Sequence, residues 1–204
     1  MKILSVAACA MAALVAAPVF AADNPAWTYG QLQYQQSTSG DDTADAYGIV
    51  GSLGMADLFH VQAEYAGGNV GYSGDDDYDQ FRIIAGVHPA VGPNTDAVFN
   101  LRYTNIDFDD NGEDDIDVWG VGAGLRHMLT DKFELNGMIN WDRYNPDHNS
   151  SDTTVASWSV GGRYLVTPNF SAGVSYSDAG NIGGYSLITG AATIDVRYQF
   201  GDIL

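Results

Sequence analysis

Between residues 192 and 200 the chain alternates apolar and polar side chains: Ile194, Val196, Tyr198 and Phe200 against Thr193, Asp195, Arg197 and Gln199. Neighbouring side chains of a strand point to opposite faces, so this segment predicts a strand with one greasy and one polar side. The same period of two recurs along the chain and predicts ten strands, near 26–37, 44–55, 58–66, 78–87, 96–107, 117–129, 132–145, 153–166, 169–178 and 185–200. Five of these separate most clearly. Their apolar sets are Phe59/Val61/Ala63/Tyr65, Phe81/Ile83/Ala85/Val87, Trp119/Val121/Ala123/Leu125, Phe133/Leu135/Ile139/Trp141 and Trp158/Val160/Tyr164/Val166. In the first strand, Leu32 and Tyr34 outward put Gln31, Gln33 and Gln35 inside.

Aromatics mark both ends of several apolar faces: Phe59 with Tyr65, Phe133 with Trp141, Trp158 with Tyr164, Phe170 with Tyr176. Six to eight tilted strand residues span roughly 15–20 Å, a little under the ~25 Å apolar band of an outer-membrane barrel. Connections are short near 56–57, 130–131 and 167–169, with 88–95 a longer one on the same side. Between them lie the longer segments 38–43, 67–77, 108–116, 146–152 and 179–184. Short periplasmic turns and longer outer loops are the habit of membrane barrels, and an even strand number closes the sheet without an edge.

The chain begins with Lys2, an apolar core, and Val19 and Ala21 at the positions a signal peptidase reads, which predicts a cleaved export signal over residues 1–21. Residues 22–204 then form one domain. The expected architecture is all-β: a single antiparallel transmembrane barrel of ten strands, or eight if the first or ninth is misread. A soluble β-sandwich with an aromatic core is the competing reading. Doubled aromatic girdles and the export signal favour the membrane.

The formal net charge is −18, and loss of Lys2 with the signal makes it one unit more negative. Such a chain repels nucleic acid backbones, which excludes that partner class. The only cysteine, Cys9, leaves with the signal, so disulfides, thiolate catalysis and zinc–thiolate sites are excluded as well.

Most acidic groups fall in the long connections. The arginines do not: Arg82, Arg102, Arg126, Arg163 and Arg197 share the inward register with Glu64, Asp96, Glu134, Asp142 and Asp195. Charges are costly against lipid and tolerable in a lumen. Two readings follow. The ten groups form an ion-paired filling that holds a narrow barrel together, or they form a selectivity constriction. Counting up from the short turns puts Glu64 beside Arg82, and Glu134 between Arg126 and Arg163.

Asp107, Asp109, Asn111 and Asp115 make a weak candidate metal site. The spacing of the first three, with Gly112, matches the first half of a calcium loop, but Val118 stands where the bidentate Glu belongs. Asn111-Gly112 is also a favoured hairpin turn. Beyond weak divalent bridging between acidic loops and lipid headgroups, no cofactor is implied. His60, His88, His127 and His148 are scattered, and no nucleophile elbow or paired ligand spacing accompanies them. His148 beside Asp147, Ser150 and Ser151 is the sole suggestion of a rim hydrolase, and a solvated loop histidine explains it more simply.

Several short motifs carry a resemblance. They are residues 45–52 (DAYGIVGS), 58–60 (LFH), 77–83 (DYDQFRI), Thr95-Asp-Ala97 ahead of Arg102 and Tyr103, and the aromatic last strand. With these the chain resembles small Gram-negative outer-membrane barrels of the outer membrane protein beta-barrel domain family, and more narrowly the group known as sulfation-dependent quorum factor. The resemblance implies fold and location and supplies no catalytic residues. The expected function is non-enzymatic: an integral outer-membrane barrel with a structural or surface-interaction role, or else a narrow porin-like passive channel. Its expected partners are outer-membrane lipid, lipopolysaccharide and the barrel assembly machinery.

Overall fold

The structure, a computed structural model, describes residues 25–39, 42–69, 77–108, 115–146, 152–179 and 190–200. The export-signal reading over 1–21 lies outside these residues, as do Asp109, Asn111, His148 and the residues 185–189 assigned above to the last strand.

The described residues form eleven strands: β1 (Tyr29–Ser39), β2 (Asp42–Met55), β3 (Phe59–Asn69), β4 (Asp77–Val87), β5 (Ala90–Gly92), β6 (Thr95–Phe108), β7 (Ile116–Thr130), β8 (Phe133–Pro146), β9 (Thr153–Leu165), β10 (Phe170–Ala179) and β11 (Gly190–Gln199). Ten are long. Each long strand pairs antiparallel with its neighbour in sequence, β1 closes onto β11, and β4 pairs with β6, so the ring has no open edge. β5 is a three-residue addition inside the longer of the same-side connections, paired only to β6. The eight-strand alternative is thereby set aside. No helix is long and apolar enough to cross a membrane among the described residues.

Burial is inverted relative to a soluble protein. Val121 and Ile139 are 51% and 52% exposed, while Glu134 and Arg163 are 2% and 4% exposed. All the large side chains of the five apolar sets face out, in one continuous band far larger than soluble monomers tolerate. Such a surface is stable only against hydrocarbon. The soluble sandwich fails on this point, since its aromatics would occupy the core.

One member of the outward set is covered. Phe200 is buried, not exposed. β11 ends at Gln199, the Phe200 N–H donates to the Thr28 carbonyl (3.0 Å), and its ring packs edge-on against Tyr198 at 4.9 Å. The bond to Thr28 continues the β1–β11 register by one pair, so Phe200 keeps the side of Tyr198 but is covered there.

The β2–β3 turn is tight. Ala56 and Asp57 both have positive φ (52° and 53°), and Leu58 N–H donates to Met55 O at 3.4 Å. Two consecutive left-handed residues give the turn the twist that antiparallel strands need.

Candidate functional site: the barrel lumen

The inward register gathers the charged side chains into a stack of pairs. Arg82 Nη1 donates to Glu64 Oε2 at 3.2 Å between directly paired residues of β3 and β4. Arg126 grips Glu134 with two parallel bonds, Nε to Oε1 at 2.9 Å and Nη2 to Oε2 at 2.8 Å. The other two ion pairs reach across an intervening strand. Arg102 of β6 binds both oxygens of Asp142 of β8, at 2.7 and 2.5 Å, with Gly120 of β7 in register with both. Arg163 of β9 meets Asp195 of β11 at 2.5 Å over Gly173 of β10.

Glycine is required at those two crossings. A Cβ on Gly173 would lie 2.5 Å from Asp195 Oδ2 and 2.9 Å from Arg163 Nη2. At Gly120 a Cβ would collide with Asp142 Oδ1 and stand 2.8 Å from Arg102 Nε. The bare backbone is what lets the side chains of two non-adjacent strands touch.

The remaining members of the ten find other partners. Asp96 accepts from the indole N–H of Trp27 at 2.9 Å. Arg197 donates through Nε and Nη2 to Gln31 Oε1, at 3.0 and 2.8 Å, and its guanidinium lies 3.6 Å over the Tyr29 ring. The expected contact between Glu134 and Arg163 is absent: among the described residues Glu134 bridges only to Arg126, while Arg163 also bonds Ser171 and Gln31. Both Glu134 oxygens are taken by a bidentate fork, and the space over Gly173 draws Arg163 towards Asp195 instead. The sixth arginine, Arg143, is exposed and bonds Asp152 outside the lumen.

The element that alternation did not reveal is Trp27. β1 starts at Tyr29, and the residues before it turn into the barrel at the end that bears the short turns. Trp27 is 8% exposed, stacked on His60 (centroids 4.4 Å, 23°) and His88 (4.2 Å, 18°), with the Arg126 guanidinium carbon 4.3 Å from its ring centroid. The two imidazoles are only 5.3 Å apart, so they sit side by side on one face of the indole; opposite faces would separate them by about twice the stacking distance. Arg126 Nη1 donates to Ala26 O at 3.1 Å and Ser52 Oγ to Trp27 O at 2.7 Å, which ties the segment down. One signal was available. Trp27 has the parity of Gln31, Gln33 and Gln35, an aromatic on a register that faces no lipid.

Trp27 and its neighbours border a cavity of about 660 Å³. It extends from Trp27 and Arg126 past Arg102 and Asp142 to Tyr78 and Tyr144 towards the other end. Of the calcium-like residues, Asp107 ends near β6's close and Asp115 precedes β7, and no group of three His, Cys, Asp or Glu among the described residues is placed to hold a metal.

The closed ring of ten long strands has an apolar exterior and an ion-paired interior. The family model described as the outer membrane protein beta-barrel domain matches residues 7–145. The chain belongs to this family. It is an outer-membrane β-barrel. Solved structures of similar form include an outer membrane channel from Pseudomonas putida F1 (9% identity, 91% of this chain and 97% of that one, TM-score 0.54). The translocator domain of the autotransporter NalP from Neisseria meningitidis is another (14%, 98% and 98%, 0.52). The NanC porin is a third (10%, 83% and 99%, 0.50). At such identities the likeness to these structures is one of fold. Among curated proteins nothing matches.

Proposed function

We propose that this protein is a non-enzymatic, integral structural or surface-interaction barrel, with its lumen shut at the short-turn, periplasmic end. The observation that carries the reading is Trp27, lodged across the lumen on His60 and His88 and held by Arg126 and Asp96. Four arginine–carboxylate pairs above and beside it leave little free charge to draw ions through. In this reading residues 1–21 are the export signal and 22–204 the barrel. Its partners are outer-membrane lipid, lipopolysaccharide and the assembly machinery, and no cofactor is used. Divalent bridging at the acidic loops stays weak. The narrower grouping with sulfation-dependent quorum factor adds no signalling role.

A second reading, a narrow porin-like channel for small solutes or cations, is favoured by the 660 Å³ cavity. Purified protein in planar bilayers separates the two. The closed reading expects little steady conductance from the wild type at neutral pH and a leak when Trp27 becomes Ala, whereas changing Arg82 and Arg102 to Ser should lower stability while Trp27 keeps the lumen shut. Large, stable, ion-selective currents from the unmodified barrel would establish the channel instead.

A further inference from the structure

Lipid explains why apolar side chains face outward, but it gives no reason for apolar side chains inside. Part of the inward register is nonetheless apolar. Arg82, Thr104, Val118 and Tyr144 are successive register partners on β4, β6, β7 and β8. One inward step nearer the long connections, Gln80, Ile106 and Ile116 are partners in the same way. Beyond them Tyr78 pairs with Phe108, their rings 6.4 Å apart. Tyr78, Ile106, Phe108, Ile116, Val118 and Tyr144 thus form one apolar wall, and all six line the cavity of about 660 Å³. On the other side of the ring, β1 and β10 present Gln35, Ser37, Ser175 and Ser177 to the same cavity. Its volume is that of a small-molecule pocket, for which roughly 300–1,000 Å³ is usual.

At the foot of the apolar wall lies a smaller cavity of about 60 Å³. It shares Gln35, Tyr78, Gln80 and Arg82 with the larger one, so the two adjoin, and Gln33 and Glu64 also line it. Arg82 donates to Thr104 Oγ1 at 3.1 Å and to Glu64 Oε2 at 3.2 Å. Gln33 Nε2 donates to Glu64 Oε1 at 2.9 Å. One guanidinium, one carboxylate and three carboxamides offer both donors and acceptors, with charges that cancel. The next pair down the lumen, Arg102 with Asp142, cancels too. A charged ligand leaving water for this place would meet no excess of opposite charge, and the acidic long connections would repel an anion. An uncharged polar group that both donates and accepts fits it.

We propose that the lumen is a binding site for a small uncharged amphiphile. Its ring or short alkyl body lies on the wall of Ile106 and Ile116, and its hydroxyl or carboxamide end sits beside Arg82, Glu64 and Gln80. Contact removes the apolar surface of ligand and wall from water together, which supplies the affinity, while the polar end fixes the orientation. Binding is reversible and involves no covalent step. The inference goes beyond the structural or surface-interaction reading and does not depend on whether the lumen conducts.

The test is calorimetric titration of the full barrel in lipid nanodiscs, with empty nanodiscs as the background. The probes share one ring: 2-naphthamide, 2-naphthoate and 2-naphthylmethylammonium. The wild type is expected to bind the amide at least tenfold more tightly than either ion. The double variant Ile106→Thr/Ile116→Thr, which keeps β-branched residues in both strands, should weaken the amide at least tenfold. Gln80→Leu should weaken it at least threefold and narrow its lead over naphthoate. Heats no larger than those of empty nanodiscs would overturn the site, as would full affinity in the double variant. Tighter binding of either ion than of the amide would overturn the uncharged class. Gel mobility of unheated samples shows whether each variant is folded, and the wild-type titration is decisive even if one is not. Bilayer conductance of the same wild-type preparation keeps the two readings apart. A conducting barrel that binds the amide loses the closed lumen and keeps the ligand site; a closed barrel that does not bind it loses the ligand site alone.

Discussion

Arg102 and Asp142 stand on strands that do not pair with each other, yet they form a two-bond ion pair over Gly120 of the strand between them. The contact ties β6 to β8 through the lumen, a layer of cross-linking beyond the backbone ladder. Arg163 and Asp195 repeat it over Gly173, and Gln33 reaches Glu64 across β2 at 2.9 Å. The lumen is braced by second-neighbour contacts as well as by adjacent ones.

Gly120→Ala should therefore destabilise the barrel far more than a glycine substitution on the lipid face. The new methyl occupies the space of the pair, forces Asp142 and Arg102 apart, and leaves both partly buried; a loss of about 3 kcal/mol is expected. Gly51→Ala is the control, because a Cβ there meets nothing within 4 Å. It should change stability by less than about 0.5 kcal/mol. Reversible urea unfolding in lipid vesicles measures both.

Arg126→Met should cost about 3–5 kcal/mol, since it leaves Glu134 buried without its fork of donors. Adding Glu134→Leu should recover much of that loss, because an apolar pair of similar size removes the orphaned charge. Failure of the second change to rescue the first, in the same unfolding assay, would mean that Glu134 draws its stabilisation from elsewhere.

The lipid face makes its own prediction. Val121→Arg or Ile139→Arg places a charge in the apolar band and should cost ~2–4 kcal/mol if the site lies near the midplane. Asn136→Arg, on the inward face of β8, should be better tolerated in the same unfolding titration.

The β2–β3 turn offers a stabilising change. Ala56 and Asp57 hold left-handed backbone that costs an L-residue with Cβ roughly 1–2 kcal/mol. Replacing them with Asn-Gly, the pair that this turn favours, should raise stability by about 1 kcal/mol without altering the fold. Thermal unfolding followed by gel mobility of heated and unheated samples would record it.

Much of this barrel is readable in one dimension. The period of two is a local consequence of strand geometry, so it separates Val121 from Arg126 without knowledge of any neighbour. It locates ten strands to within a few residues wherever the chain is described, and it sorts Glu64, Arg82, Arg102 and the others to the inner face. Lipid then dictates which face is which, because only the apolar set can meet hydrocarbon. Pairing could not be read the same way. Which arginine meets which carboxylate depends on the register between strands and on how far a side chain reaches across a neighbour. Counting residues puts Arg163 opposite Glu134, and the two are in register, but the bare backbone at Gly173 lets the Arg163 side chain pair with Asp195 two strands away. Trp27, His60, His88, Asp96 and Arg126 lie up to a hundred residues apart and meet only because the sheet closes on itself. Alternation determined the wall of this barrel; closure and side-chain reach decided which side chains meet inside it.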